Sequence, residues 1–246
     1  MISLSGECMF KIITCKNPNQ KVIDTHTKLI NLYGLSAGQR QSNEDALVVT
    51  RKGLVLKVAG KQMSWHPGLL HALRESGTRH PWIQLGNIQH GDQVLDCTLG
   101  LGTDARFISE ITKERVLGIE QSLAIFLITQ EGLQNSGAQV DIQFGQCLEI
   151  LSKQEKNSFD VVIADPMFPK HLEKQSHSLS IVRHFGSYQP LSLDWLKEAK
   201  RVARRCVLVK DHIHNDLLEL LGAEYIWSKG KRLTRYGRWE ASHLGD

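Results

Sequence analysis

Two short stretches of this 246-residue chain hold residue types whose spacing permits chemistry. The first runs from Asp96 through Gly100, Gly102, Thr103 and Asp104. A carboxylate ends an apolar run, two glycines two apart follow, and a second carboxylate opens the next run. Glycines let backbone approach a ligand closely, and a helix start presents unpaired N–H groups. The pattern is not G-x-G-x-x-G: no third glycine follows, and Asp96 would repel a diphosphate. An acid at this place suits a ligand with a cationic, amino-acid-like end, such as S-adenosylmethionine. The plainer alternative is an ordinary strand-to-helix turn.

The second stretch is Asp165-Pro166-Met167-Phe168-Pro169, directly after the apolar run Val161-Val162-Ile163-Ala164. Two prolines fix the backbone, so the groups between them are presented rigidly. Asp165 and the Pro166 carbonyl are acceptors, and Phe168 offers a ring face. Together they can hold an exocyclic amino group by its hydrogens while a base stacks on the ring. Such an amine is a poor nucleophile, because its lone pair is delocalised into the base. Turning its hydrogens toward acceptors favours a pyramidal nitrogen and aims the lone pair at a methyl donor. Positioning of this kind is worth up to about 7–11 kcal/mol. A sulfonium methyl is already activated, so no metal is required. The alternative is a rigid proline turn.

The elements that must position these residues follow from periodicity. From Gln93 onward strands and helices alternate, with strands expected at 94–97, 115–120, 140–144, 159–164 and 206–210. Helices are expected at 104–111, 122–135, 147–151 and 193–203, then at 215–221, followed by strands near 224–228 and 234–240. Such alternation implies a parallel α/β sheet with right-handed crossovers, and ligands then sit at the carboxyl ends of the strands. Glu120 ends the second strand about twenty residues after the glycine turn, where an acid suits the hydroxyls of a ribose. Its alternative is an acid favoured by a helix N-terminus. Gln146 and Cys147 follow the third strand, where an adenine would lie; the plainer reading there is a helix cap and a core thiol.

Residues 1–80 read as a small α+β extension and residues 81–246 as the main domain. The extension shows a strand at 10–14, a short helix at 28–33, a polar loop at 36–43, a hairpin around Arg51-Lys52-Gly53 and a helix at 68–75. Its plainest role is a structural cap.

The apolar share of 41% is ample for a core, and a net charge of +4 is compatible with an anionic partner. Cys8, Cys15, Cys97, Cys147 and Cys206 form no C-x-x-C pair, and the eleven histidines show no H-E-x-x-H spacing. Reduced thiols in a cytoplasmic protein, with no zinc site and no disulfide framework, are the expectation. No apolar run reaches membrane length, and the first residues lack the basic start of a signal peptide.

The stretch from Trp227 to Trp239 interleaves Lys231, Arg232, Arg235 and Arg238 with aromatic rings. Cations attract phosphates and rings stack on unpaired bases, so RNA binding is one reading. A terminal hairpin with its aromatics in the core is the other. Lys197, Lys200, Arg201, Arg204 and Arg205 form a second basic cluster whose helical spacing reads as a solvated face. The segment 170–189, rich in Lys, His and Ser, reads as a loop able to close over a substrate.

Asp165-Pro166 with its following Phe168 resembles the N-P-P-Y-like motif of class I amino-group methyltransferases. Together, residues 99–104, 165–169 and Val207-Leu208-Val209-Lys210 resemble the RsmJ-type family, which methylates the guanine N2 in small-subunit ribosomal RNA. The resemblance runs from about Asp45 to the C-terminus. It implies a class I methyltransferase (Rossmann-like) fold, a seven-stranded, mostly parallel sheet whose last strand is antiparallel. It also implies S-adenosylmethionine as cofactor and ribosomal RNA or the small ribosomal subunit as partner. The family's cofactor contacts fall on Thr103, Asp104, Glu120, Gln121, Gln146, Cys147 and Asp165, with Asp165, Pro166 and Phe168 at the reacting base. Thr103 and Gln121 stand where the family has Arg, and Gln146-Cys147 where it has two serines. Two other functions stay open: a same-fold methyltransferase acting on a protein or small molecule, and a non-catalytic RNA-binding assembly factor.

Overall fold

The computed structural model describes residues 10–38, 45–168, 177–186, 191–230 and 232–241. Cys8, Pro169 and Lys231 lie outside the described residues, as do most of the loop expected at 170–189 and part of that at 36–43.

Four strands make a small sheet: β1 (Lys11–Thr14), β2 (Ala46–Thr50), β3 (Gly53–Val58) and β4 (Lys61–Ser64). β1 runs parallel to β2, and the other pairs are antiparallel. Helix α1 spans Gln20–Tyr33, not only the residues from Lys28. Asn19 caps it by accepting the Val22 N–H at 3.1 Å, and only Val22 and Leu29 are fully buried, so the apolar period is thin. Next come α2 (Leu70–Ser76) and the six-residue α3 (Pro81–Gly86), which the sequence reading did not anticipate.

The large sheet holds β5 (Val94–Asp96), β6 (Val116–Glu120), β7 (Val140–Phe144), β8 (Phe159–Ala164), β9 (Ala203–His212), β10 (Tyr225–Ser228) and β11 (Thr234–Glu240). Their order is β10-β11-β9-β8-β5-β6-β7. The strands from β9 to β7 are parallel, and β11 runs antiparallel between β9 and β10. This is the seven-stranded, Rossmann-like sheet that the family resemblance implied, its parallel part being what the alternation implied. The helices are α4 (Thr103–Thr112), α5 (Leu123–Asn135), α6 (Cys147–Leu151), α7 (His177–Phe185), α8 (Leu193–Val202) and α9 (Leu217–Leu220). α7 corrects the expectation of an unbroken loop: residues 177–185 are helical.

One apolar cluster joins Leu95, Val162 and Val207 to Trp195 and Ala199 of α8 and to Trp239. A second joins Val94, Val161 and Leu208 to Trp82 of α3 and Phe107 of α4. The third joins Leu47, Leu54 and Leu56 of the small sheet to the α5 residues 124–128 and to Ile181 of α7. α5 is buried on most of its circumference because it serves both sheets.

Candidate active site

The strand order reverses at β5, with β6 on one side and β8 on the other. An open parallel sheet forms its ligand crevice at such a point, beyond the carboxyl ends of the strands. Asp96 ends β5, Glu120 ends β6, Asp165 follows β8 directly, and Lys210 and His212 lie near the end of β9.

The glycine turn is held from several sides. Gly100 N–H donates to Glu120 Oε2 at 3.0 Å, and Ser122 N–H donates to Glu120 Oε1 at 2.7 Å. The Thr129 hydroxyl donates to the Gly100 carbonyl at 2.8 Å. Gly102 sits at φ 74°, in the left-handed region, as the cap of α4, and a Cβ there would meet Leu133 at 3.0 Å. Thr98 N–H donates to Asp96 Oδ1 at 3.0 Å, while the Thr98 hydroxyl accepts the Asp165 N–H at 2.6 Å. Thr98 thereby couples the two chemistry-bearing stretches.

The N-terminal residues contribute directly. Trp65 Nε1 donates to the Leu101 carbonyl at 2.9 Å, in the middle of the glycine turn. Its indole lies against α5 at Gly132, where a Cβ would stand 2.0 Å from the ring. The Thr103 hydroxyl donates to the Pro67 carbonyl at 3.2 Å. Sequence reading gave Thr103 to a ligand; here its hydroxyl ties the segment after β4 to the start of α4.

Four carboxylates, Asp96, Asp104, Glu120 and Asp165, raise the electrostatic potential energy of the crevice. Burial pushes Asp96 up to about 8, with Asp104, Asp165 and Glu120 adding to it and the Thr98 N–H opposing. Burial likewise pushes Glu120 up to about 7, against the N–H groups of Ser122, Gly100 and Gln121. Lys210 Nζ reaches Asp165 Oδ2 at 2.6 Å. Burial alone would lower the ammonium, but Asp165 and Asp104 outweigh it and hold Lys210 above its ordinary value. Burial raises Asp165 while Lys210 pulls it back. The two groups form an ion pair by geometry, with Asp165 left above the ordinary carboxylate value. His80 is lowered to about 4 by burial, Lys210 and Arg232, so it is neutral near pH 7.

Sequence reasoning assigned no role to Lys210, His80 or His212. The other expected residues are dispersed around the crevice. Phe168 is 6% exposed, edge-on to the His212 ring with centroids 5.7 Å apart. Its ring is therefore part of a packed wall and not an open stacking face. Pro166 and Gln121 are half-buried. Gln146 occupies the cap position of α6 without a side-chain capping bond, and Cys147 Sγ receives Trp195 Nε1 at 3.4 Å.

The expected RNA strip is corrected in part. Arg235 lies directly across β9 from Asp211, their pair measures 3.1 Å, and the side chains are 11% and 0% exposed. Arg235 also pairs with Glu219 and the Asn215 carbonyl. Arg238 donates to Glu240 and to the Leu85 carbonyl. Both guanidinium groups are engaged internally because β11 is an interior strand whose side chains meet neighbours on both faces. Tyr236 and Trp239 are buried with them. Arg232 is exposed. The second basic cluster is also paired: Lys200 with Glu224, Arg201 with Glu198, Arg204 with Asp160 and Arg205 with Asp92.

Residues 28–236 match the family model described as "Putative SAM-dependent methyltransferase". The chain belongs to this family. The Bacillus subtilis (strain 168) protein YpiP is 30% identical over 214 residues, covering 80% of this chain and 82% of that protein. Among solved structures, the SAM-dependent methyltransferase NGO1261 from Neisseria gonorrhoeae superposes with a TM-score of 0.69 at 21% identity. That superposition covers 96% of this chain and 97% of the other, and it supports the fold.

The cofactor of this methyltransferase is S-adenosylmethionine, and the crevice fits it chemically. Four carboxylates face one ammonium, which leaves a local excess of negative charge for a ligand bearing a sulfonium and an ammonium. Burial raises both Asp96 and Glu120, and the neighbouring carboxylates add to the rise at Asp96, so a cation placed there would favour the charged forms. Among the described residues, no group of three or more His, Cys, Asp or Glu is arranged to hold a metal ion, and no helix is long and apolar enough to cross a membrane.

Proposed function

We propose that this methyltransferase acts in the cytoplasm on the exocyclic N2 amino group of a guanine in small-subunit ribosomal RNA, free or within the small subunit. The observation that carries this reading is Asp165, held rigid between β8 and Pro166 with Oδ2 at 2.6 Å from Lys210 Nζ. A neutral acid would offer a donor to the amine; an anion offers acceptors only. Lys210 favours the anion, so Asp165 can take an N–H of the base while the Pro166 carbonyl takes another.

The cofactor supplies an activated methyl group, and the chain's residues bind and orient the two reactants. In this reading Glu120 would meet the ribose hydroxyls, and Asp96 and Asp104 the cationic end. Gly100, Gly102, Thr103, Gln121, Gln146 and Cys147 complete the expected cofactor surround. Asp165 or solvent would take the proton that the nitrogen gives up as the amine receives the methyl group and the cofactor leaves as its demethylated product. A flipped-out base would lie beside the wall made by Phe168. Arg232, whose charge reaches His80 and Tyr236, lies where it can meet a phosphate.

Incubation with S-adenosylmethionine and unmodified small-subunit RNA or particles, followed by nucleoside mass spectrometry, tests this. N2-methylguanosine is the expected product, lost in Asp165→Ala. Methyl transfer confined to protein or small molecules would refute the assignment.

A further inference from the structure

His212 is 3% exposed, at the last position of β9. Its Nδ1 accepts the His214 N–H at 3.2 Å, so the neutral ring carries its proton on Nε2. Nε2 is buried and has no hydrogen-bond partner among the described residues. A buried donor left unpaired is costly, and a protein that keeps one at a ligand crevice has a use for it once the ligand arrives. The place is specific. Lys210 lies two residues earlier on the same strand, so both side chains leave the same face of the sheet. Lys210 grips Asp165, and the His212 ring packs on Phe168, three residues beyond Asp165.

The strand end therefore juxtaposes two complementary groups: the acceptor Asp165 and the unpaired donor His212. We infer that His212 Nε2–H is a substrate-orienting donor that takes an acceptor atom of the methylated base. This deepens, and rests on, the reading of the Asp165 turn as the amine site. Asp165 alone accepts from any exocyclic amine. A donor beside it adds a second, directed hydrogen bond to the ring nitrogen that flanks the amine, and so fixes the angle at which the amine faces the methyl donor. In guanine the ring nitrogen N3 flanks N2 directly.

The test uses the full chain and compares His212→Leu, His212→Gln and wild type in single-turnover transfer to unmodified small-subunit RNA. Guanine-containing RNA fragments are compared with fragments carrying 3-deazaguanine, which lacks the ring acceptor. His212→Leu is expected to lower transfer by roughly 10- to 100-fold with cofactor affinity unchanged. It should stay folded and melt close to wild type, since loss of the acceptor for the His214 N–H is offset by removal of the unpaired buried donor. His212→Gln, which restores an amide N–H, should recover part of the loss. The deaza fragment should impair wild type but cause no further loss in His212→Leu. Wild-type transfer by a folded His212→Leu would overturn the inference and leave the Asp165 reading intact. An equal deaza effect in wild type and His212→Leu would also overturn it. No transfer to RNA by wild type would remove both readings together.

Discussion

Cofactor affinity should rise with pH, by an amount set by the carboxylate cluster. In the ligand-free fold Asp96 sits at about 8 and Glu120 at about 7, against ordinary values of 3.8 and 4.5. Both are raised, so the stability they contribute is fully present below pH 4 and is lost as pH rises through 7 and then 8. A sulfonium placed beside them reverses that loss by favouring the anions. Binding must then release protons, and the slope of log affinity against pH equals the number released. Between pH 6 and 7.5, full relief would raise affinity roughly tenfold through Glu120 and roughly twentyfold through Asp96. The product, about two-hundredfold, is the ceiling, and tenfold or more is expected. The window stops at 7.5 because the ligand's own α-amino group titrates at about 8. Calorimetry at three pH values, in two buffers of different protonation enthalpy, reads both affinity and protons released. Asp96→Asn should remove the larger part of the slope. Constant affinity with no proton release in the wild type would refute the electrostatic account of the crevice.

Other expectations follow from single contacts. Lys210→Met removes the ammonium from Asp165, so methyl transfer should fall about 10²–10³-fold while the cofactor still binds; single-turnover rates check this, and partial recovery at higher pH should accompany it. Gly102→Ala forces a Cβ into the left-handed region and toward Leu133, and should destabilise by about 1–2 kcal/mol in urea titration. Arg235→Ala leaves Asp211 buried without its cation, and should cost about 3–5 kcal/mol of stability without altering the salt dependence of RNA binding. Arg232→Ala should do the reverse, lowering that salt slope by about one with stability unchanged.

The alternating half of the chain was readable because each element carries its own period. The strands at Val140–Phe144 and Phe159–Ala164 and the helix at Cys147–Leu151 were expected with these bounds. The glycine turn and Asp165 were readable for a similar reason, since glycine and proline announce backbone geometry locally. What stayed hidden depends on which strands are neighbours. Lys210 and His212 look in the sequence like polar residues ending an apolar run; only the pairing of β8 with β9 brings Lys210 to Asp165. Arg235 looked like a surface cation for the same reason, because its register against Asp211 is a long-range property. The start of α1 was missed because its stop signal, Gly34, is plain, while its first two turns bury Val22 alone and so carry little apolar pattern.

The contact between the small sheet and α5 has a consequence for the order of synthesis. Leu54 N–H on β3 donates to the Glu131 carboxylate on α5, 77 residues later in the chain. At about 5–20 residues per second, β3 is made several seconds before the helix that covers it. Leu47, Leu54 and Leu56 must wait through that interval without their α5 partners. The glycine turn, whose Leu101 carbonyl is held by Trp65 seated on α5, is completed only after that wait is over.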